Sequence, residues 1–228
     1  MFVEGYTEIL FAERLISEIA GSKNISIEQR KIRGGSRVRR TFSVIQAAEQ
    51  LGTEKYYVLL VDCGGDALVK TRILEEHQNF SNNGYQKIIG IRDVRPDFTY
   101  EDIPKLEINL KKYIKTSLIP VEFILSVMEI EAWFLADFKH YPKIHPLISH
   151  EAVKINLGFD PQSEDMTLRL TPASDLHSVY SLGNAKYETS EDVVRTINAL
   201  DFPTIYLELK EKIPNLHQLC TSIDEFLS

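Results

Sequence analysis

Cysteine is scarce in this chain: Cys63 and Cys220 are the only two among 228 residues. Two thiols by themselves make neither a disulfide framework nor a structural zinc site. Long apolar runs are missing as well. No run reaches the roughly 18 apolar residues of a membrane helix, and the first residues lack the basic-then-apolar order of a signal peptide. The expectation is a cytoplasmic globule with no membrane span. Neither the phosphate-loop pattern G-x-x-x-x-G-K-[ST] nor the dinucleotide pattern G-x-G-x-x-G occurs, and the Gly-Gly pairs at 34 and 64 read as tight turns. There is no internal repeat, low-complexity tract or linker separating two independent domains.

What is present suits a packed core. Apolar residues make up 43% of the chain and aromatics 10%, which argues against a disordered or fibrous protein. The net charge of −7 argues against a general nucleic-acid coat. Its distribution says more. Arg30, Lys31, Arg33, Arg37, Arg39 and Arg40 fall within eleven residues that contain no acid; removing these six from the 26 basic residues leaves 20 against 33 acids. One basic patch on an acidic body is suited to gripping a phosphate backbone locally, although a solvated helix face explains any single charge equally well.

Hydrophobic periodicity suggests the order of elements. Residues 1–4 read as a short buried strand, 8–20 as a helix, 24–31 as a second strand and 37–51 as a helix. Residues 56–61 form a continuous apolar run, the mark of a strand covered on both faces. Helix 67–77, strand 87–91, an amphipathic segment 102–115, strand 121–125 and helix 126–138 follow. This alternation predicts an α/β fold with a mostly parallel sheet flanked by helices over residues 1–138. Residues 139–228 read as a C-terminal elaboration packed on the same domain. It is irregular through the prolines at 142, 146, 161 and 172, then helical over 188–200 and 202–227 with a break near Pro214.

In a parallel sheet the functional edge lies where the strands end. Three strands place acids there: Glu4 with Glu8, Asp62 with Asp66, and Asp93 with Asp97. Gathered carboxylates repel, and burial raises their pKa values unless something positive lies between them. A hard divalent cation, Mg²⁺ or Mn²⁺, meets that need with oxygen ligands; the plainer alternative is that Asp66 and Asp97 cap helices. In a helix over 126–138, Glu131 would share an apolar face with Val127, Met128, Phe134 and Leu135, which calls for a metal or a buried cation as its partner. His140, His145 and His150 are five apart, poor spacing for zinc on one helical face. Cys63 reads as a buried thiol, and Tyr6, Tyr180 and Tyr187 as base-stacking or core residues.

Glu4-Gly5-Tyr6-Thr7-Glu8, opening a helix directly after the first strand, resembles the E-G-x-[ST]-E signature of Toprim-type metal nuclease domains. The nearest in pattern are those of the OLD (overcoming lysogenization defect) family and related small bacterial Toprim-like proteins. The resemblance covers residues 1 to 137 or so. The family's D-x-D motif is matched at Asp93, but position 95 is Arg95, so the second aspartate is absent in register. A strict count of strands would choose Asp62 and Asp66 instead; spacing to Glu131 favours Asp93, and both stay open. Glu131 resembles the family's later glutamate in placement, and Lys186 is the best match to its downstream lysine. The resemblance implies Mg²⁺ or Mn²⁺ on Glu4, Glu8, Asp93 (or Asp62) and Glu131, with Glu4, Asp93 and Lys186 catalytic. It also implies nucleic acid, most simply DNA, as substrate, an ATPase partner protein, and a role in bacterial defence or DNA processing. A non-catalytic Toprim-like module binding nucleic acid or protein is the first alternative. A small-molecule phosphohydrolase using the same acids is the second.

Overall fold

The structure, a computed structural model, describes residues 1–34, 38–49, 55–65 and 67–228. Strand β1 (Phe2–Val3) leads into helix α1 (Tyr6–Ala20), and β2 (Ile25–Arg33) and β3 (Thr41–Gln46) form a hairpin. Then come β4 (Tyr56–Asp62), α2 (Leu68–Asn82), β5 (Ile88–Asp93), α3 (Ile103–Lys111) and β6 (Val121–Ser126). The strands make one six-stranded sheet in the order β3-β2-β4-β1-β5-β6. Every neighbouring pair is parallel except β2 with β3. The mostly parallel α/β sheet expected from the sequence is therefore the fold.

Side-chain alternation assigns the strands' residues to the two faces. On β4, Leu60 joins the core beneath α1, while Leu59 and Val61 join the core beneath α2. On β5, Ile89 and Ile91 face the first core and Ile88 the second. Both faces being covered explains the unbroken apolar runs in these strands. Gly90 is required by close packing: a Cβ there would stand 2.7 Å from Ile73 Cδ1 of α2.

Two expectations fail. Residues 41–46 of the expected helix 37–51 are the edge strand β3. Thr41, Phe42, Val44 and Ile45 are β-branched or aromatic, and that preference outweighs the helical bias of Ala47 and Ala48. The expected helix 126–138 is also largely replaced. Strand β6 runs through Ser126, Met128 takes a positive φ of 62°, and helix α4 covers only Glu131–Ala136. Glu131 thus opens a short helix and does not share a helical face with Val127 and Met128.

The C-terminal part is more helical than its prolines suggest. Helices α5 (Tyr141–Ile144), α6 (His150–Leu157) and α7 (Pro172–Ser181) occupy the stretch expected to be irregular and the residues after it. Helices α8 (Ser190–Ala199), α9 (Phe202–Leu207) and α10 (Pro214–Phe226) follow as expected. This part shares its core with the sheet: Phe202 of α9 lies 5.7 Å from Phe11 of α1, ring centre to ring centre, and Phe11 also lies 5.6 Å from Trp133 and 5.5 Å from Phe134 of α4. Fully burying a side chain of this size contributes roughly 1.5–3 kcal/mol, so α4 and α9 together hold α1 in place.

Inside the C-terminal helices runs a buried polar row. His140 Nδ1 meets the Asp137 backbone carbonyl, His140 Nε2 lies 2.8 Å from the Tyr180 hydroxyl, and that hydroxyl lies 3.1 Å from Thr196 Oγ1. Thr196 in turn donates to the Asp192 carbonyl at 2.9 Å. Burial pushes the His140 imidazole down to about 3.

Candidate functional site

The carboxyl edge of the central strands is built by short, tightly specified turns. After β1, Glu4 ends the strand and Gly5 starts α1, where the Gly5 N–H donates to Glu8 Oε2 at 2.9 Å. Glu8 thereby serves as the acid of the helix's first turn, its ordinary structural role. The Glu4 carbonyl accepts from the backbone N–H groups of Gly64 and Gly65, tying the end of β1 to the turn after β4. On the other side, Glu4 Oε1 accepts the Asp93 N–H at 2.7 Å. The first motif and the end of β5 are thus joined through Glu4.

Four carboxyl groups converge here. Asp93 is buried, and its pKa is raised well above 3.8, first by burial and then by the charges of Glu8, Glu4 and Glu131. These three charges are all negative; only the Ser126 hydroxyl, opposite Asp93 on β6, works against the shift. Asp93 Oδ1 is buried with no hydrogen-bond partner. Glu131, also buried, is pushed up to about 7, chiefly by burial; a hydrogen bond from Tyr187 works against the shift and Glu8 adds to it. The Tyr187 hydroxyl donates to Glu131 Oε1 at 2.7 Å.

Asp62 has a different setting. It too is buried at a strand end, but Lys31 forms an ion pair with its Oδ2, and its Oδ1 accepts the Gly64 N–H at 2.8 Å. Placement therefore groups Asp93, and not Asp62, with Glu4, Glu8 and Glu131. Asp66 lies outside the described residues. Asp97 is half exposed and pairs with Arg92 at 3.1 Å. Arg95, standing where the resembling family has its second acid, donates to the Leu170 carbonyl and lies 3.9 Å from Glu129. Glu129 in turn accepts the Ala173 N–H at 2.8 Å, so this corner fastens residues 170–173 to the edge of the sheet.

The donor set fits a hard cation: all the converging groups are carboxylate oxygens, they repel one another, and one buried oxygen is orphaned. Among the described residues, however, no three acids, histidines or cysteines already stand in a metal-clasping arrangement. Glu4 accepts the Asp93 N–H, Glu8 the Gly5 N–H and Glu131 the Tyr187 hydroxyl, so these carboxylates are already engaged within the fold.

The basic patch is largely neutralised. Arg30 pairs with Glu28, Lys31 with Asp62, and Arg40 with Glu75 at 2.9 Å and Glu76 at 2.8 Å. Arg33 and Arg39 are exposed and make no ion pair among the described residues; Arg37 lies outside them. Lys186 is an exposed side chain 3.6 Å from Glu188. The residue beside it, Tyr187, is the one that reaches the acid cluster. Sequence alone marked Tyr187 only as a stacking or core aromatic, since nothing local announces a contact made 56 positions away.

No helix among the described residues is long and apolar enough to cross a membrane. No family model matches the chain, and no curated protein or solved structure does so.

Proposed function

We propose that the chain is a metal-dependent nuclease hydrolysing nucleic-acid phosphodiesters. The observation that carries this reading is the convergence of Glu4, Glu8, Asp93 and Glu131 at the carboxyl edge of a parallel sheet, with Asp93 Oδ1 buried and unpartnered. These four side chains would hold one or two Mg²⁺ or Mn²⁺ ions. Such an ion, when bound, supplies Lewis-acid polarisation of the phosphodiester and a water of lowered pKa. Glu4 keeps the metal-facing end of β5 in place through its bond to the Asp93 N–H. Lys186, exposed at the surface beside Glu188, is the chain's candidate for offsetting charge on the scissile phosphate. Arg33 and Arg39 are the described residues free to grip the backbone; Arg30, Lys31 and Arg40 would first have to leave their acids. DNA as substrate, an ATPase partner and a place in bacterial defence or DNA processing rest on the Toprim resemblance.

One observation favours a second reading, the non-catalytic binding module: Arg95 replaces an acid and points to Leu170 and Glu129. Mn²⁺ calorimetry followed by plasmid incubation separates the two. The nuclease reading expects binding and nicking in the wild type, both lost in Glu4→Gln, a variant that keeps an acceptor for the Asp93 N–H. A wild type that binds no Mn²⁺ overturns it in favour of the module.

A further inference from the structure

We infer that Tyr187, supplied by the C-terminal elaboration, is a positioning residue that orients Glu131 for the cation; the inference rests on the metal-site reading above. Tyr187 sits between two parts of the site that are far apart in the chain. Its hydroxyl donates to Glu131 Oε1 at 2.7 Å, and the Thr7 side chain, within the Glu4–Glu8 motif, stands beside it. A phenol has one hydrogen to give, and here it goes to Glu131.

The rest of the residue is held just as firmly. Its ring packs edge-on against Tyr180 with centres 6.2 Å apart, and its backbone N–H reaches His177 Nδ1 at 3.4 Å. Both contacts come from α7, so helical packing sets where the hydroxyl stands. Glu131 needs such a guide. It opens a six-residue helix after a non-helical turn, and a carboxylate in that position has two side-chain torsions to its Cδ that only neighbours can restrict. Carboxylates that bind metals are commonly held by outer hydrogen bonds of this kind, and losing one costs about 10–100-fold in affinity.

The test is Mn²⁺ calorimetry on the wild type, Tyr187→Phe, Glu131→Gln and the double variant. Tyr187→Phe keeps the ring and its packing, and is expected to weaken binding by about 10-fold. Added to Glu131→Gln it should weaken binding no further, because the group it orients has lost its charge. A purely structural role would instead lower affinity by the same factor on both backgrounds, and that result overturns the inference. So does wild-type affinity in Tyr187→Phe. Should that variant fail to fold, Tyr187→Met decides: it too offers no hydrogen to Glu131, Mn²⁺ binding should weaken by a similar factor, and unchanged affinity rejects the inference. A wild type that binds no Mn²⁺ rejects the metal-site reading itself and this inference with it, an outcome distinct from binding that Tyr187→Phe leaves intact.

Discussion

Strands β4 and β5 flank β1 on its two sides, and each ends in a buried aspartate. Asp62 has a lysine and a backbone N–H; Asp93 has three acids and an oxygen with no partner. The residue type, the strand end and the burial are the same. What differs is the neighbouring charge, which makes one aspartate a finished structural element and leaves the other among three acids. A buried acid is informative about function only once its surroundings are known.

Neutralising each aspartate in turn should pull this comparison furthest apart. Asp93→Asn removes the charge at the centre of the cluster, and Mn²⁺ affinity measured by calorimetry should fall on the order of 100-fold or more, beyond the loss expected for an outer residue. The metal-free variant should melt no lower than the wild type, since repulsion has been relieved. A large loss of melting temperature with unchanged Mn²⁺ binding would erase the distinction drawn between the two sites.

The pH dependence of stability sharpens it. Glu131 is pushed up to about 7 in the folded chain from an ordinary 4.5, and Asp93 is raised as well. Between those values the folded protein holds protons that the unfolded chain has released, so stability falls as pH rises from about 4.5 to about 7. For Glu131 alone the loss is roughly 1–3 kcal/mol in the metal-free protein. Thermal melts at pH 5 and pH 7.5 should show this, and Asp93→Asn should flatten the slope. Melts that instead rise steadily over that range would mean that the acids are already compensated within the fold.

The smallest effect belongs to the finished site. Asp62→Asn keeps an acceptor for the Gly64 N–H and loses only the attraction to Lys31, whose side chain is about one-third exposed. A loss of about 1 kcal/mol, or 2–4 °C in melting temperature, is expected, with Mn²⁺ affinity unmoved.

Much of this fold was legible because periodicity reports burial. The apolar runs at 56–61 and 87–91 are strands, and α8 and α10 lie where the helical spacing put them. The failures have local causes. In 37–51, good helix formers and β-branched residues sit side by side, and pairing with β2 decides between them. At 126–138, the left-handed backbone of Met128 breaks a pattern that otherwise reads as helix. The acids themselves were visible as strand-end residues, and so was the rivalry between Asp62 and Asp93. The different surroundings of the two were not, because Lys31 and Asp62 are brought together by the register of β2 on β4. Tyr187 was overlooked for a related reason: Lys186 and Tyr187 are adjacent, and only the packing of α7 determines which of them turns inward.

The buried row from Asp137 to Asp192 carries a deficit of its own. Two backbone carbonyls close its ends and can only accept, leaving four contacts to be filled by the hydrogens of one imidazole, one phenol and one threonine. A neutral imidazole brings a single hydrogen, and the Asp137 carbonyl fixes it on Nδ1. Three hydrogens then serve four contacts, so one link always joins two lone pairs. With Thr196 committed to the Asp192 carbonyl, Tyr180 chooses between His140 and Thr196, and the vacancy sits on whichever side it leaves. A fully buried stretch of the molecule thus retains a two-position fault that moves with one rotating hydroxyl while every heavy atom stays still.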